Sequence, residues 1–407
     1  MSDVYRTVQG KSWFARIASS VVGVGGGILL ILVMIGVLFW NEGRAVKTRA
    51  GLNELQETAV ELPAPKLQSD NDGKPVHFIG PTVTGDVLRD TRFDVAENAI
   101  RLDRVVEMYQ WSEEKKSATR NKLGGGQETV TEYSYRLKWH EGRIDSSSFQ
   151  QSGMHHNPPL KVEPQVQFAS SVTVGDFKLS DELLRLVPTG EALSPKSPGT
   201  AAGIAAAAAG AAPAYKISGN WYYIGENPDA PALGDTRVKF QIVRPGGNVS
   251  VLATQRGNDL TASTTSNGKT FLLLMLGHKS KSEMIQHEQR INTMILWALR
   301  AGGYLAITLG FLMILAPLRV VADVVPFVGR IVGAGLLVIS LLLSAVVSLT
   351  TIAIGWLFYR PVVSAIALGI VIVAIWTIRT RLKRATPEAA TAPPAPPGFG
   401  SPPPLPG

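Results

Sequence analysis

Residues 17–40 read IASSVVGVGGGILLILVMIGVLFW and hold no charged side chain. About 20 consecutive apolar residues suffice for a helix to cross the hydrocarbon core of a bilayer. This run therefore assigns the chain to the membrane before any other feature is weighed. A cleaved signal peptide has a shorter apolar core and small residues ahead of the cut; this run ends in Leu38-Phe39-Trp40, which marks an uncleaved anchor. Further uncharged runs at 301–318, 331–358 and 361–378 predict three more transmembrane helices, the last two separated only by Tyr359 and Arg360. Residues 319–330 (RVVADVVPFVGR) then read as a short interfacial connection, with a re-entrant turn as the other reading.

The formal charge of +8 raises nucleic acid as a partner, so its location matters. Residues 41–300 hold 30 Lys and Arg against 29 Asp and Glu, and the remainder holds 10 against 3. The large polar region is neutral, which argues against a nucleic-acid-binding face. The basic excess flanks the apolar runs, as topology signals do. Arg6, Lys11, Arg16, Arg319, Arg330, Arg379, Arg381, Lys383 and Arg384 fall on one side and Arg360 on the other. Both termini are thus expected in the cytosol, as a tail at 1–16 and a basic, Pro-rich tail at 379–407. Residues 41–300 are expected on the far side, in the periplasm or the lumen of the endoplasmic reticulum.

Within 41–300, period-2 patterns dominate. Val76–Ile79 precedes a Gly-Pro break. Ile100–Trp111 alternates, with Ile100, Leu102, Val105 and Met108 as the expected buried face. Gly124–Gly126 reads as a turn leading into a strand at Thr129–His140, and Tyr215–Ile224 and Thr236–Val243 read as further strands. Pro245–Asn248 suggests a hairpin from the last of these into Val249–Gln255. Leu183–Val187 reads as a short helix, and Ser280–Arg300 as a helix running into the second span. Ser194–Pro213 is Ala/Gly-rich and reads as a loop insertion; Pro387–Gly407 reads as polyproline-like. The fold class is α+β: four transmembrane helices with a large β-rich extracytosolic domain between the first and second.

Chemistry-bearing patterns are sparse. The chain has no cysteine, which removes thiolate catalysis and Cys-based zinc sites. His155-His156 has no acidic cluster nearby and reads as structural. Gly124–Gly126 lacks the Lys-Ser/Thr of a phosphate loop, and no serine sits in a G-x-S-x-G elbow. Glu107 and Glu113-Glu114 read as solvated strand positions. No cofactor or metal site is expected. Ion-coupled transport normally needs ionisable residues at membrane depth, and the four runs have none. Ser340, Ser344, Ser348, Thr350 and Thr351 recur in the third span and fit helix packing, with a polar pore as the other reading. Ser19, Gly23 and Gly27 repeat every four residues and offer a face for another helix.

Asn41-Glu42-Gly43-Arg44-Ala45 with Lys47-Thr48, Val106–Trp111 with Glu107, Tyr109 and Trp111, and Tyr133-Ser134-Tyr135 with Trp139 form a specific set. Glu226-Asn227-Pro228, Gly234-Asp235 with Arg237-Val238, Arg256-Gly257, and Gly355–Pro361 with Trp356, Tyr359 and Arg360 complete it. On these residues the chain resembles the LUMA (transmembrane protein 43) family over almost its whole length. The resemblance implies four spans with cytosolic ends. It also implies a non-enzymatic scaffold that self-associates and organises membrane complexes, with no catalytic residue to carry over. Animal members are similar proteins of the endoplasmic reticulum and inner nuclear membrane, with emerin and lamins as partners. The Ala-rich insert, the Pro-rich tail and the lack of cysteine suggest a bacterial member in the inner membrane. The expected partners are the lipid bilayer, other copies of the chain and other membrane proteins. A channel or lipid-remodelling protein is the second reading, and an extracytosolic enzyme the third.

Glu42 poses a specific question. If the first helix ends near Gly43, a carboxylate there opposes the helix dipole, so a cationic partner is expected, Arg360 or Arg300, with a solvated Glu42 as the other reading. Asn41 is expected to serve carbonyls at that helix end, and Arg44 and Lys47 to reach headgroups.

Overall fold

The computed structural model describes residues 3–196 and 215–385. Most of the Ala-rich insertion and the tail at 387–407 lie outside the described residues. Helix α1 covers Trp13–Thr58, 46 residues and about 69 Å at 1.5 Å per residue. It does not end at Gly43. Ile31, Leu38, Ala45 and Leu52 are buried at seven-residue spacing, a seam that carries the helix out of its apolar run and into the β-rich body. The opposing seam lies on α3 (Lys281–Ala322), where Leu296, Gly303 and Gly310 repeat at the same spacing and are buried. A Cβ on Gly303 would lie 2.7 Å from Leu38, and one on Gly310 2.6 Å from Ile31, so glycine lets the antiparallel helices close up. Ser280 and Glu283 form the capping box that starts α3.

The short helix α2 occupies Asp181–Leu186, close to its expected place. Helix α4 runs from Pro326 to Tyr359 and α5 from Pro361 to Ala385. The expected connection at 319–330 is much shorter: Arg319–Ala322 finish α3, and Pro326 sits in the first turn of α4, where proline's missing N–H costs nothing. Three helices, α1, α3 and α4, are long and apolar enough to cross a membrane; α5 contains a shorter apolar stretch, Ser364–Thr380. The small polar stripe of α4 faces inward. Ser340, Ser344, Ser348 and Thr351 are buried, and Ser344 shares a 2.7 Å hydrogen bond with Thr308 of α3. Four of its five named positions are thus used in packing within the chain, and Thr350 is exposed.

The β-rich region contains two main sheets. In the first, every pairing is antiparallel, and the central strand Arg101–Asn121 is flanked by Gln127–Glu141 and Thr236–Val243. Its buried alternation runs through Leu102, Val106 and Met108, leaving Val105 on the outer face. The expected strand Tyr215–Ile224 is divided into Lys216–Ser218 and Trp221–Ile224 by a turn at Gly219, whose φ of +57° suits glycine.

The second sheet pairs Asn248–Arg256 with both Pro75–Val83 and Leu273–Leu276. The hairpin expected across Pro245–Asn248 is therefore absent. Thr236–Val243 stays in the first sheet, and Pro245–Gly247 carries the chain to the second. Gly80-Pro81 does not break its strand, because Pro81 sits at the last pair with Asn248. Phe78 and Phe177 stack at 4.6 Å in the core of this sheet. Leu52 and Leu55 of α1 pack with Leu252, Leu273 and Met284, joining sheet, α1 and α3.

The N-terminal residues depart most from expectation. Asp3–Lys11 is a β-strand paired with Gln127–Tyr135 over nine residues. It extends the ribbon formed by Arg101–Asn121 and Gln127–Glu141, which remains paired to Asn121 and Gln127. Over the paired residues from Glu107 to Asn121 the ribbon is about 50 Å long, and it turns at Gly124 and Gly125, both with positive φ. That turn meets the N-terminus of α1: the Gly124 N–H donates to the Val324 carbonyl, and Trp13 lies against Gly125. The tip of the ribbon therefore lies beside the start of α1 and the end of α3. The expected cytosolic tail at 1–16 is thus, from Asp3 to Lys11, a strand paired with residues expected in the extracytosolic domain.

Candidate functional site

Antiparallel packing of α1 and α3 brings two lone acids to two arginines. Glu42 is the only Asp or Glu between residues 4 and 53, and Asp323 the only one between 301 and 387. Glu42 is fully buried. Arg300 of α3 grips it with two parallel bonds, Nε to Oε1 at 2.7 Å and Nη2 to Oε2 at 2.8 Å. Trp356 of α4 donates its indole N–H to Oε2 at 3.1 Å. Three helices thus meet on one carboxylate. The planar guanidinium matches both oxygens, which makes this stronger than a single-point contact. Arg300 also lies 4.8 Å from the Trp297 ring.

The neighbours of Glu42 complete the clasp. The Asn41 amide donates to the Leu296 carbonyl, 3.2 Å away, so it serves α3 and not the end of its own helix. Arg44 turns inward: it donates to Asn41 Oδ1 at 3.2 Å and to Asn292 Oδ1 at 2.9 Å. Asn292 in turn donates to the Ala45 carbonyl at 3.0 Å. Gly43 is needed for close approach, since a Cβ there would lie 2.5 Å from the Tyr359 ring. Phe39 packs on Tyr359 at 5.4 Å. Arg360, the other proposed partner, stands 5.9 Å from the Trp356 ring and does not touch Glu42.

The opposite end carries a second buried pair, which the sequence reading did not name. Arg16 Nη2 donates to Asp323 Oδ2, and Arg16 Nη1 to the Gly125 carbonyl at 2.6 Å. Trp13 Nε1 donates to the Val320 carbonyl at 3.0 Å. Asp323 Oδ1 is buried without a partner among the described residues. The available signal was the isolation of Asp323 in a long stretch holding no other acid. Likewise, the seven-residue seam through Ile31, Leu38, Ala45 and Leu52 was the signal for helix continuity.

On the ribbon, Glu107, Tyr109 and Trp111 share the half-exposed face. Glu107 is not a freely solvated group: Arg237, directly opposite it, donates to its Oε2 at 2.6 and 2.8 Å. Arg237 is held between Trp139 and Trp221, 4.4 Å from each ring. Tyr109 packs on Trp139 at 5.4 Å, and Trp111 meets the edge of buried His155 at 4.7 Å. Asp235 accepts from Tyr223 at 2.5 Å and from the Ala232 N–H at 2.8 Å. Burial first, then this carboxylate, pushes the Tyr223 hydroxyl well above its usual range, so it remains a donor. Glu113 likewise accepts from buried Tyr135 at 2.7 Å. Each of these motif residues is bonded or packed within the chain.

The sequence profile described as Transmembrane protein 43 matches residues 108–361, from the ribbon to the start of α5. The chain belongs to this family. It is similar to Transmembrane protein 43 of Homo sapiens, 32% identical over 391 residues, covering 93% of this chain and 94% of the human protein. The Mus musculus protein is 32% identical over 90% of this chain and 92% of its own length. The homolog of Drosophila melanogaster is 28% identical over 83% and 89%. No solved structure matches. Within this Transmembrane protein 43 fold, the small-residue stripe of α1 is divided. Gly27 is buried against α3, where a Cβ would lie 2.6 Å from the Gly310 carbonyl, whereas Gly23 faces open space. Ser19 donates back to the Arg16 carbonyl at 3.0 Å. The three residues therefore form no single free face.

Proposed function

We propose that this family member is a non-enzymatic, multi-span membrane scaffold that self-associates. The observation that carries the reading is the continuity of α1 and α3. Each has one end in the apolar bundle and the other in the core of the β-rich body, so the body is held rigidly on its anchor. The ribbon supports assembly. Lys115, Lys116, Arg120, Glu128 and Glu132 lie on it, and the outer faces of the long helices are apolar. Irregular or open-edged strands are stable at membrane depth only when covered by protein or water, so copies would enclose the ribbons and turn α4 and α5 toward lipid. The basic end of the bundle faces the cytosol in this arrangement.

The test uses the absence of native cysteine. A single cysteine replacing Val130 on the ribbon, in native membranes, is expected to give cross-linked multimers of the chain. A chain that stays monomeric there, with no cross-linked partner, overturns the reading. The same polar ribbon favours one second reading, a water-filled conduit between copies. Liposomes carrying the reconstituted protein that show no conductance remove it.

A further inference from the structure

A cleft of about 370 Å³ opens between the ribbon and the basic end of the bundle. Its polar end is lined by Lys11 of the N-terminal strand, Arg16 of α1 and Arg319 of α3, with Gln127 beside them. Arg16 is committed to Asp323 and the Gly125 carbonyl. Lys11 and Arg319 have no ion-pair partner among the described residues, and both are exposed. Ser19 and Ser20 donate into their own turn, so the cleft's free positive charge belongs to Lys11 and Arg319. The other end is apolar, formed by Met313, Ala316 and Val320. Gly23 borders it with no atom within 4 Å of where a Cβ would stand.

We propose that this cleft binds an anionic phospholipid, with the headgroup phosphate between Lys11 and Arg319 and an acyl chain along Gly23 and Met313. Two unpaired cations over an apolar wall, at the level where the uncharged run of α1 begins, match the two halves of such a lipid. Basic pockets between helices on the cytosolic side recognise headgroups in this way. The lipid closes the gap between ribbon and bundle that the protein leaves unfilled. The site requires the bundle to lie in a bilayer and does not depend on self-association.

The test is binding to the full-length protein in a neutral detergent, read by native mass spectrometry and by the shift in Tm. Dioleoyl phosphatidylglycerol is expected to bind and raise Tm, dioleoyl phosphatidylcholine to do neither, and inorganic phosphate not to compete. Lys11→Gln with Arg319→Gln is expected to weaken phosphatidylglycerol binding by about tenfold or more. Gly23→Leu, which fills the apolar end, tests the site independently and is expected to reduce binding without removing a charge. Equal binding of the two lipids, or wild-type affinity in both variants, overturns the proposal. Full competition by inorganic phosphate assigns the site to a free anion and overturns the lipid. The multimer cross-linking described above reads self-association separately.

Discussion

The two ends of the α1–α3 pair use the same chemistry and differ in how completely they satisfy it. Arg16 and Glu42 lie 26 residues apart on α1, and Arg300 and Asp323 lie 23 apart on α3, spacings of about 39 and 34 Å. Hydrocarbon is about 30 Å thick, so the two ion pairs bracket one crossing. At the Glu42 end, both carboxylate oxygens are bonded, and α1, α3 and α4 converge. At the Asp323 end, one oxygen is left without a partner among the described residues, and Arg16 divides its donors between Asp323 and the ribbon turn. A buried charge is costly unless fully paired. The first end is therefore built as a permanent clasp, and the second as a weaker latch that also holds the ribbon.

The most decisive way to break the comparison is all-or-none. Cysteines replacing Val8 on the N-terminal strand and Leu123 at the ribbon turn, both exposed, are expected to react with a membrane-impermeant maleimide from the same side. Labelling from opposite sides breaks the strand pairing. The largest energetic effect is expected from Arg300→Leu, which strands a buried carboxylate at a cost of roughly 3–5 kcal/mol, read from unfolding of the detergent-solubilised chain. Glu42→Arg with Arg300→Glu should recover part of this, and Glu42→Arg with Arg360→Glu none. A loss near zero in Arg300→Leu removes the clasp.

Asp323→Asn should cost less, about 1–3 kcal/mol, because the amide still accepts from Arg16. Hydrogen exchange should rise at 122–126 and stay unchanged at 292–300; a rise at both ends would mean the two are one unit. Gly43→Ala is expected to cost about 1–2 kcal/mol by crowding the Tyr359 ring. Gly36→Ala, with open space at its Cβ position, should be neutral or stabilise by less than about 1 kcal/mol. Similar losses in both glycine variants would show that helix propensity, and not close approach, governs this seam.

Much of the architecture was legible locally. The uncharged runs located α1, α3 and α4, and alternation located the strands Gln127–Glu141 and Thr236–Val243, because burial of one helix or sheet face imposes its period on the sequence. Gly124-Gly125 marked the ribbon turn because its backbone needs positive φ. Failures came where a local signal was weaker than a distant contact. Gly43 read as a helix end, yet it is a glycine for Tyr359. Pro245–Asn248 read as a hairpin, yet the strands it joins pair in different sheets. The N-terminal residues read as a tail because nothing in them announces a partner beginning more than a hundred positions later.

The sequence by itself determined that this chain is a membrane protein of the Transmembrane protein 43 family. It also raised a cationic partner for Glu42, alone beside an apolar run, with a solvated carboxylate as the other reading. The premise of a helix ending there was wrong; the pairing holds because Glu42 is buried, and a buried carboxylate requires compensation whatever the helix does next. Which arginine answers it was decided only by the tertiary structure. Arg300 lies 258 positions away, and it reaches Glu42 because glycines at 303 and 310 let α3 settle against Leu38 and Ile31. The same packing brings Arg16 to Asp323 and leaves Arg360 outside. Such partners depend on the register of two long helices, set by shape complementarity along the whole seam.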